Sequence, residues 1–147
     1  TNLYGPNDNF NLKTSHVLPA MISKFHEAKS KNEQQVILWG DGSPLREFLF
    51  VDDLAQAILC SCERNMENHI YNIGSGEELS IRELSEVIRN VVGYDGEIIW
   101  DTKMPNGTPR KLLDSSKFNL FGWKPNVKIN EGVKSTYQWF LDNYSKT

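Results

Sequence analysis

The chain has no positive charge to spare. Its 16 Lys and Arg stand against 19 Asp and Glu, a net charge of -3, so no basic excess is available to form a nucleic-acid footprint on one face. Basic residues therefore matter only locally. Long apolar runs are missing too, and nothing approaches the length of a bilayer span; neither nucleic acid nor membrane is expected as a partner. Cysteine is scarce. Cys60 and Cys62 flank Ser61 in a helical pattern, a poor geometry for a mutual disulfide and with no His or Cys at a zinc spacing. They read as reduced thiols, which fits a cytoplasmic setting. His16, His26 and His69 are scattered, and no metal site is expected.

The glycine-rich fingerprint of a dinucleotide loop is also lacking. Gly74-Ser75-Gly76 precedes a helical pattern, but the third glycine, the leading strand and the distant acidic residue are not there. The opening Thr1-Asn2-Leu3-Tyr4-Gly5-Pro6 has the look of a buried strand running into a turn. Our expectation is that it continues an upstream strand-bearing domain.

What is present is an ordinary globular composition: 147 residues, 39% hydrophobic and 24% charged, enough for one domain with a real core. After a loop punctuated by Gly5-Pro6-Asn7-Asp8-Asn9, Val17, Met21, Phe25 and Ala28 recur at helical spacing, with Ser15 as the expected N-cap. Val36–Trp39 reads as a strand, Gly40–Pro44 as a turn and Phe48–Val51 as a second apolar run. Asp52 is placed to cap a helix with Leu54, Ala57, Ile58 and Cys62 inward. Ile70–Ile73 reads as a strand. Ser80 and Glu83 form a capping-box pattern ahead of Ile81, Leu84, Ile88 and Val91, and Gly93 ends that helix. Ile98–Trp100 is a strand, residues 105–109 a loop, Ser115–Leu120 a short helix, and a last helix starts near Asn130. Strands alternate with helices, so the class is α/β.

Several residues carry chemistry. His16, at the mouth of the first helix, can exchange a proton near neutral pH; equally, it can be a helix-start residue bonded to a carbonyl. A helix N-terminus favours the neutral ring, so a proton-donating role needs an anionic neighbour or ligand. Arg46 suits bidentate phosphate binding or a surface ion pair. Arg110-Lys111 reads as an anion clamp or a solvated edge, and Trp39 as a stacking platform or a core aromatic. The initial picture is a pocket that presents an anionic ligand to His16.

The combination is more specific than its parts. Thr1–Pro6, Asp8-Asn9-Phe10, Ser15-His16-Val17-Leu18-Pro19, Trp39-Gly40-x-Gly42-x-Pro44-x-Arg46-Glu47-Phe48, Val51-Asp52-Asp53, Asn72-Ile73-Gly74-x-Gly76 and Gly107-Thr108-Pro109-Arg110-Lys111 together resemble the C-terminal half of the GDP-L-fucose synthase family. These are NADPH-dependent 3,5-epimerase-4-reductases of the extended short-chain dehydrogenase/reductase superfamily. The resemblance implies a substrate-binding domain plus elements returning to a Rossmann sheet, with residues 1–5 and about 50–75 in the Rossmann part. It implies His16 as the acid of epimerisation, and Thr1, Asn2 and Leu3 against NADP. Lys24, Trp39, Arg46, Asn106 and Arg110 would hold the GDP-sugar. The family pattern has Asp where this chain has Asn106. The nucleotide loop, the Tyr-x-x-x-Lys pair and the epimerase cysteine would lie in an N-terminal Rossmann domain. This part alone is expected to be inactive, and the complete enzyme to be a homodimer. Another nucleotide-sugar epimerase or dehydratase, or a non-catalytic binding module, is the alternative.

Overall fold

The run Leu45-Arg46-Glu47-Phe48-Leu49-Phe50 becomes the strand from which the rest is built. In the computed structural model, which describes residues 1–64, 66 and 70–144, the chain runs β1 (Asn2–Tyr4), α1 (Val17–Ser30), β2 (Gln35–Trp39), β3 (Leu45–Phe50), α2 (Val51–Glu63), β4 (Glu78–Ser80), α3 (Ile81–Val92), β5 (Glu97–Asp101), β6 (Arg110–Lys111), α4 (Ser116–Asn119) and α5 (Ile129–Asn143). His69 lies outside the described residues.

β3 has different neighbours along its two halves. Its second half pairs with β1 in parallel, Asn2 opposite Phe48 and Tyr4 opposite Phe50. Its first half lies between antiparallel β4 and parallel β6, with Arg46 opposite both Leu79 and Lys111. A separate parallel pair, β2 and β5, sets Trp39 opposite Asp101. The α/β class holds.

Burial explains the arrangement. α1 turns Leu18, Met21, Ile22, Phe25 and Ala28 inward, where they meet Leu84, Ile88 and Val92 of α3 and Val133 and Phe140 of α5. Each large apolar side chain removed from water contributes about 1.5–3 kcal/mol. A smaller cluster joins Leu49 and Ala57 to Phe118 and Trp123.

Capping settles the helix starts, in one case as expected. Ser80 and Glu83 form the full capping box, and Gly93 closes α3 in the left-handed region at φ 68°. α1 differs: its N-cap is His16, not Ser15. Pro19 dictates the shift. With Ser15 as cap, Pro19 would have to supply the first intrahelical N–H, which it lacks; with His16 as cap, Ala20 donates to the His16 carbonyl at 3.1 Å. Asp52 is not a cap either. β3 runs straight into α2, Phe50 takes the N-cap position, and Asp52 and Asp53 both fall in the first turn, favourable for the helix dipole. Ala57 of α2 is buried, but Ile58 is 51% exposed and Cys62 is exposed, so the inward face is narrower than the apolar pattern implies. Residues 70–73 form no strand; the antiparallel neighbour of β3 is β4. No helix among the described residues is long and apolar enough to cross a membrane.

Candidate functional site

Strand alternation puts Val36 and Leu38 inside and Gln35, Ile37 and Trp39 outside. Trp39 ends β2 with 62% of its surface exposed. Lys24 reaches it from α1: its ammonium donates to the Ile37 carbonyl at 3.1 Å and lies 5.9 Å from the Trp39 ring centroid. Burial pushes the Lys24 ammonium below its usual range, a cost that an approaching anion would offset.

The turn after Trp39 requires its glycines. Gly40 and Gly42 adopt φ 77° and 76°, and a side chain on Gly40 would run into Asn106. Between them, the Asp41 N–H donates to Asn106 Oδ1 at 2.8 Å, while the Asp41 carboxylate accepts the Ser43 N–H at 2.8 Å. Bonds from the Ser43 hydroxyl and amide, and then from the Asn106 side chain, hold the Asp41 carboxyl below the usual carboxylate range. Arg82, 4.8 Å from the centroid of the Trp100 ring, donates to the Asp41 carbonyl. Arg46 begins on the far side of the turn. Its Nη1 donates to the Leu45 carbonyl at 2.8 Å, and its Nη2 lies beside Gly107. Lys24, Trp39, Asn106 and Arg46 thus surround one turn.

Thr1, Asn2 and Arg110 gather elsewhere, around a 420 Å³ cavity that Glu47 and Lys111 also line. The Asn2 amide donates to the Glu47 carbonyl at 2.9 Å and the Thr1 hydroxyl approaches the same oxygen at 3.4 Å. Arg110 is engaged: its Nε meets both Glu78 carboxylate oxygens at 2.9–3.0 Å. Leu3 is 40% exposed on β1.

His16 stands apart. It is exposed at the start of α1, roughly 12 Å along the axis before Lys24. Its anionic neighbour is Asp8. Burial raises the Asp8 carboxyl, against the Asn9 N–H and the electrostatic pull of His16. His26, by contrast, bonds the Tyr137 hydroxyl at 3.0 Å and packs edge-on against Phe140, a structural role.

Two carboxylates matter more than their sequence context implies. Glu47 is 1% exposed, and its Oε1 accepts the Gly76 N–H at 2.8 Å. Asp53 is 3% exposed and accepts the N–H groups of Asn126 and Val127, both at 3.0 Å. Glu47 reads in the sequence as the neighbour of Arg46, and Asp53 as half of a capping pair. The signal for Glu47 is its place directly before the apolar run Phe48–Val51, where a buried carboxylate needs partners; Oε1 has the Gly76 N–H, while Oε2 has none among the described residues.

GDP-L-fucose synthase 1 of Arabidopsis thaliana is 54% identical over 97% of this chain and 44% of its own length. GDP-L-fucose synthase of Escherichia coli K12 is 46% identical over 99% of the chain and 48% of its own length. The crystal structure of a GDP-L-fucose synthetase from Naegleria fowleri bound to NADP superposes with a TM-score of 0.92 at 30% identity, covering 100% of this chain and 46% of that one. The chain therefore spans a little under half the length of these relatives. The sequence profile of the NAD dependent epimerase/dehydratase family matches residues 1–74, from β1 through α2 to Gly74, and the chain belongs to that family.

Proposed function

We propose that this chain is the GDP-sugar-binding portion of an NADPH-dependent GDP-4-keto-6-deoxymannose 3,5-epimerase-4-reductase, which makes GDP-L-fucose. The observation that carries the reading is the exposed Trp39 with the Lys24 ammonium beside it and Arg46 across the Gly40–Pro44 turn. An aromatic face flanked by two cations suits a base or sugar with a diphosphate. The names of the relatives support the same substrate.

The chemistry follows from the ketone. A 4-keto group acidifies the hydrogens on C3 and C5, so an acid can return protons there after removal by a base. His16, exposed at the N-cap of α1, takes the role of acid. Thr1, Asn2 and the exposed Leu3 would border NADP, which supplies the hydride for the ketone. Fit at this edge is supported by the polar side chains of Thr1 and Asn2 lining the 420 Å³ cavity. Arg110, held by Glu78, orders that cavity and is the weaker candidate for direct phosphate contact. The exposed Ile58, Leu59 and Ile70 support the assignment of residues 1–5 and about 50–75 to a Rossmann domain that completes the enzyme.

The test is NADPH consumption by the complete protein with GDP-4-keto-6-deoxymannose. The expected result is GDP-L-fucose, with epimerisation slowed about 100-fold or more in His16→Gln. Turnover only with another nucleotide sugar would move the chain to a different activity of its family. Full activity in His16→Gln would remove His16 from the chemistry.

A further inference from the structure

Asn106 and Asp41 bond each other from two separate loops. The Asp41 N–H needs an acceptor, and Asn106 Oδ1 provides it at 2.8 Å; that places the Asn106 amide nitrogen as the group available to the Asp41 carboxylate. Gly40 has no side chain because this amide fills the space. From the opposite side Arg82 of α3, backed by the Trp100 ring, holds the Asp41 carbonyl. The Asp41 N–H and carbonyl are therefore both gripped, in the turn that leads from Trp39 to Leu45 and Arg46.

We propose that Asn106, Asp41 and Arg82 form a clasp whose work is to set the spacing between Trp39 and Arg46, so that Asn106 is a positioning residue and not a substrate ligand. The proposal rests on the nucleotide-sugar reading of that turn. It also explains why an amide suits position 106. An aspartate there could still accept the Asp41 N–H, but it would set a second carboxylate against that of Asp41 and loosen that bond. The bond from Asn106 that helps hold the Asp41 carboxyl low would become a repulsion. Asp41 and Asn106 thus form a pair of one carboxylate and one neutral amide.

The experiment is an exchange of the two side chains in the complete protein, using Asn106→Asp, Asp41→Asn and the double variant. Two readouts are taken: hydrogen exchange at the residue 41 amide, and GDP affinity by calorimetry alongside kcat. Asn106→Asp should speed amide exchange and weaken GDP binding by about fivefold, the size of a screened like-charge contact, with kcat for saturating substrate within twofold of the parent. Adding Asp41→Asn to it should restore both protection and affinity, because the exchanged pair makes the same bonds with one charge. A double variant as impaired as Asn106→Asp alone would overturn the clasp, as would Asn106→Asp with unchanged exchange. Loss of kcat with GDP affinity intact in Asn106→Asp would overturn it as well, because that would place Asn106 among the reacting groups. If the parent protein binds no GDP, the nucleotide-sugar reading falls by itself, and the exchange data still decide whether the Asp41–Asn106 bonds hold the turn.

Discussion

The buried Glu47 carboxylate accepts the Gly76 N–H at 2.8 Å, tying β3 to the Gly74–Gly76 turn. Gly74 lies so close that any side chain there would run into the same carboxylate. The strand that carries Arg46 is thereby fastened to the turn that leads into β4. Glu47→Ala should destabilise the protein by about 2–4 kcal/mol, through the lost charge-assisted bond and the cavity left behind. Glu47→Gln keeps the acceptor and should cost less than half as much. Urea unfolding of the two variants checks this; equal losses would mean that packing and not the bond to Gly76 matters.

Asp53 performs a comparable task at longer range. Its two oxygens each take one backbone N–H from Asn126 and Val127, joining the first turn of α2 to the segment that leads into α5. Asp53→Asn leaves one acceptor for two donors and should cost about 1–3 kcal/mol. Asp52→Asn, exposed in the same turn, should stay within about 0.5 kcal/mol. Parallel thermal melts would separate them, and similar losses would reduce both residues to contributors to the helix dipole.

These two carboxylates show where legibility ended. Period and capping were readable from the chain: α3 follows from Ser80, Glu83 and Gly93, and β2 from the alternation that leaves Ile37 and Trp39 outward. Local rules then met tertiary ones. Asp52 and Asp53 are equivalent to a capping argument, and only the fold brings residues 126 and 127 to one of them. The site was readable as a set of residue types and not as a place. Lys24 reaches Trp39 and Arg46 follows the same turn, while Arg110 is drawn to Glu78 across two strands that sequence spacing cannot pair. The helix start was decidable in principle, since Pro19 forbids Ser15 as cap, but that needs the hydrogen-bond arithmetic of the first turn.

The capping box at α3 predicts a pH dependence. The Ser80 backbone N–H and then its hydroxyl hold the Glu83 carboxyl below its ordinary value of 4.5. A carboxylate with a lowered folded pKa binds fewer protons folded than unfolded, so its contribution is complete above about 4.5 and disappears as pH falls through the lowered value. Glu83→Gln should therefore melt about 2 °C below the parent at neutral pH. The gap should close as the pH is lowered from 5 towards 3. A gap that stays constant over that range would show that the charge on Glu83 contributes nothing to the cap.

Trp39 offers the cleanest separation of binding from folding. Its ring is 62% exposed and Lys24 lies beside it, so truncation removes little packing. If the ring is a stacking surface, Trp39→Ala in the complete protein should weaken GDP binding by roughly tenfold or more, in line with about 1–3 kcal/mol per stacked base, with Tm shifted by no more than about 2 °C. Trp39→Phe should recover part of the affinity, because a smaller aromatic face still stacks. Lys24→Met should weaken GDP binding more than it weakens guanosine, since the ammonium acts on the phosphates. Calorimetry with the two ligands distinguishes these contributions. Unaltered GDP affinity in Trp39→Ala would leave the exposed ring without a ligand and remove the main support for placing the nucleotide at this turn.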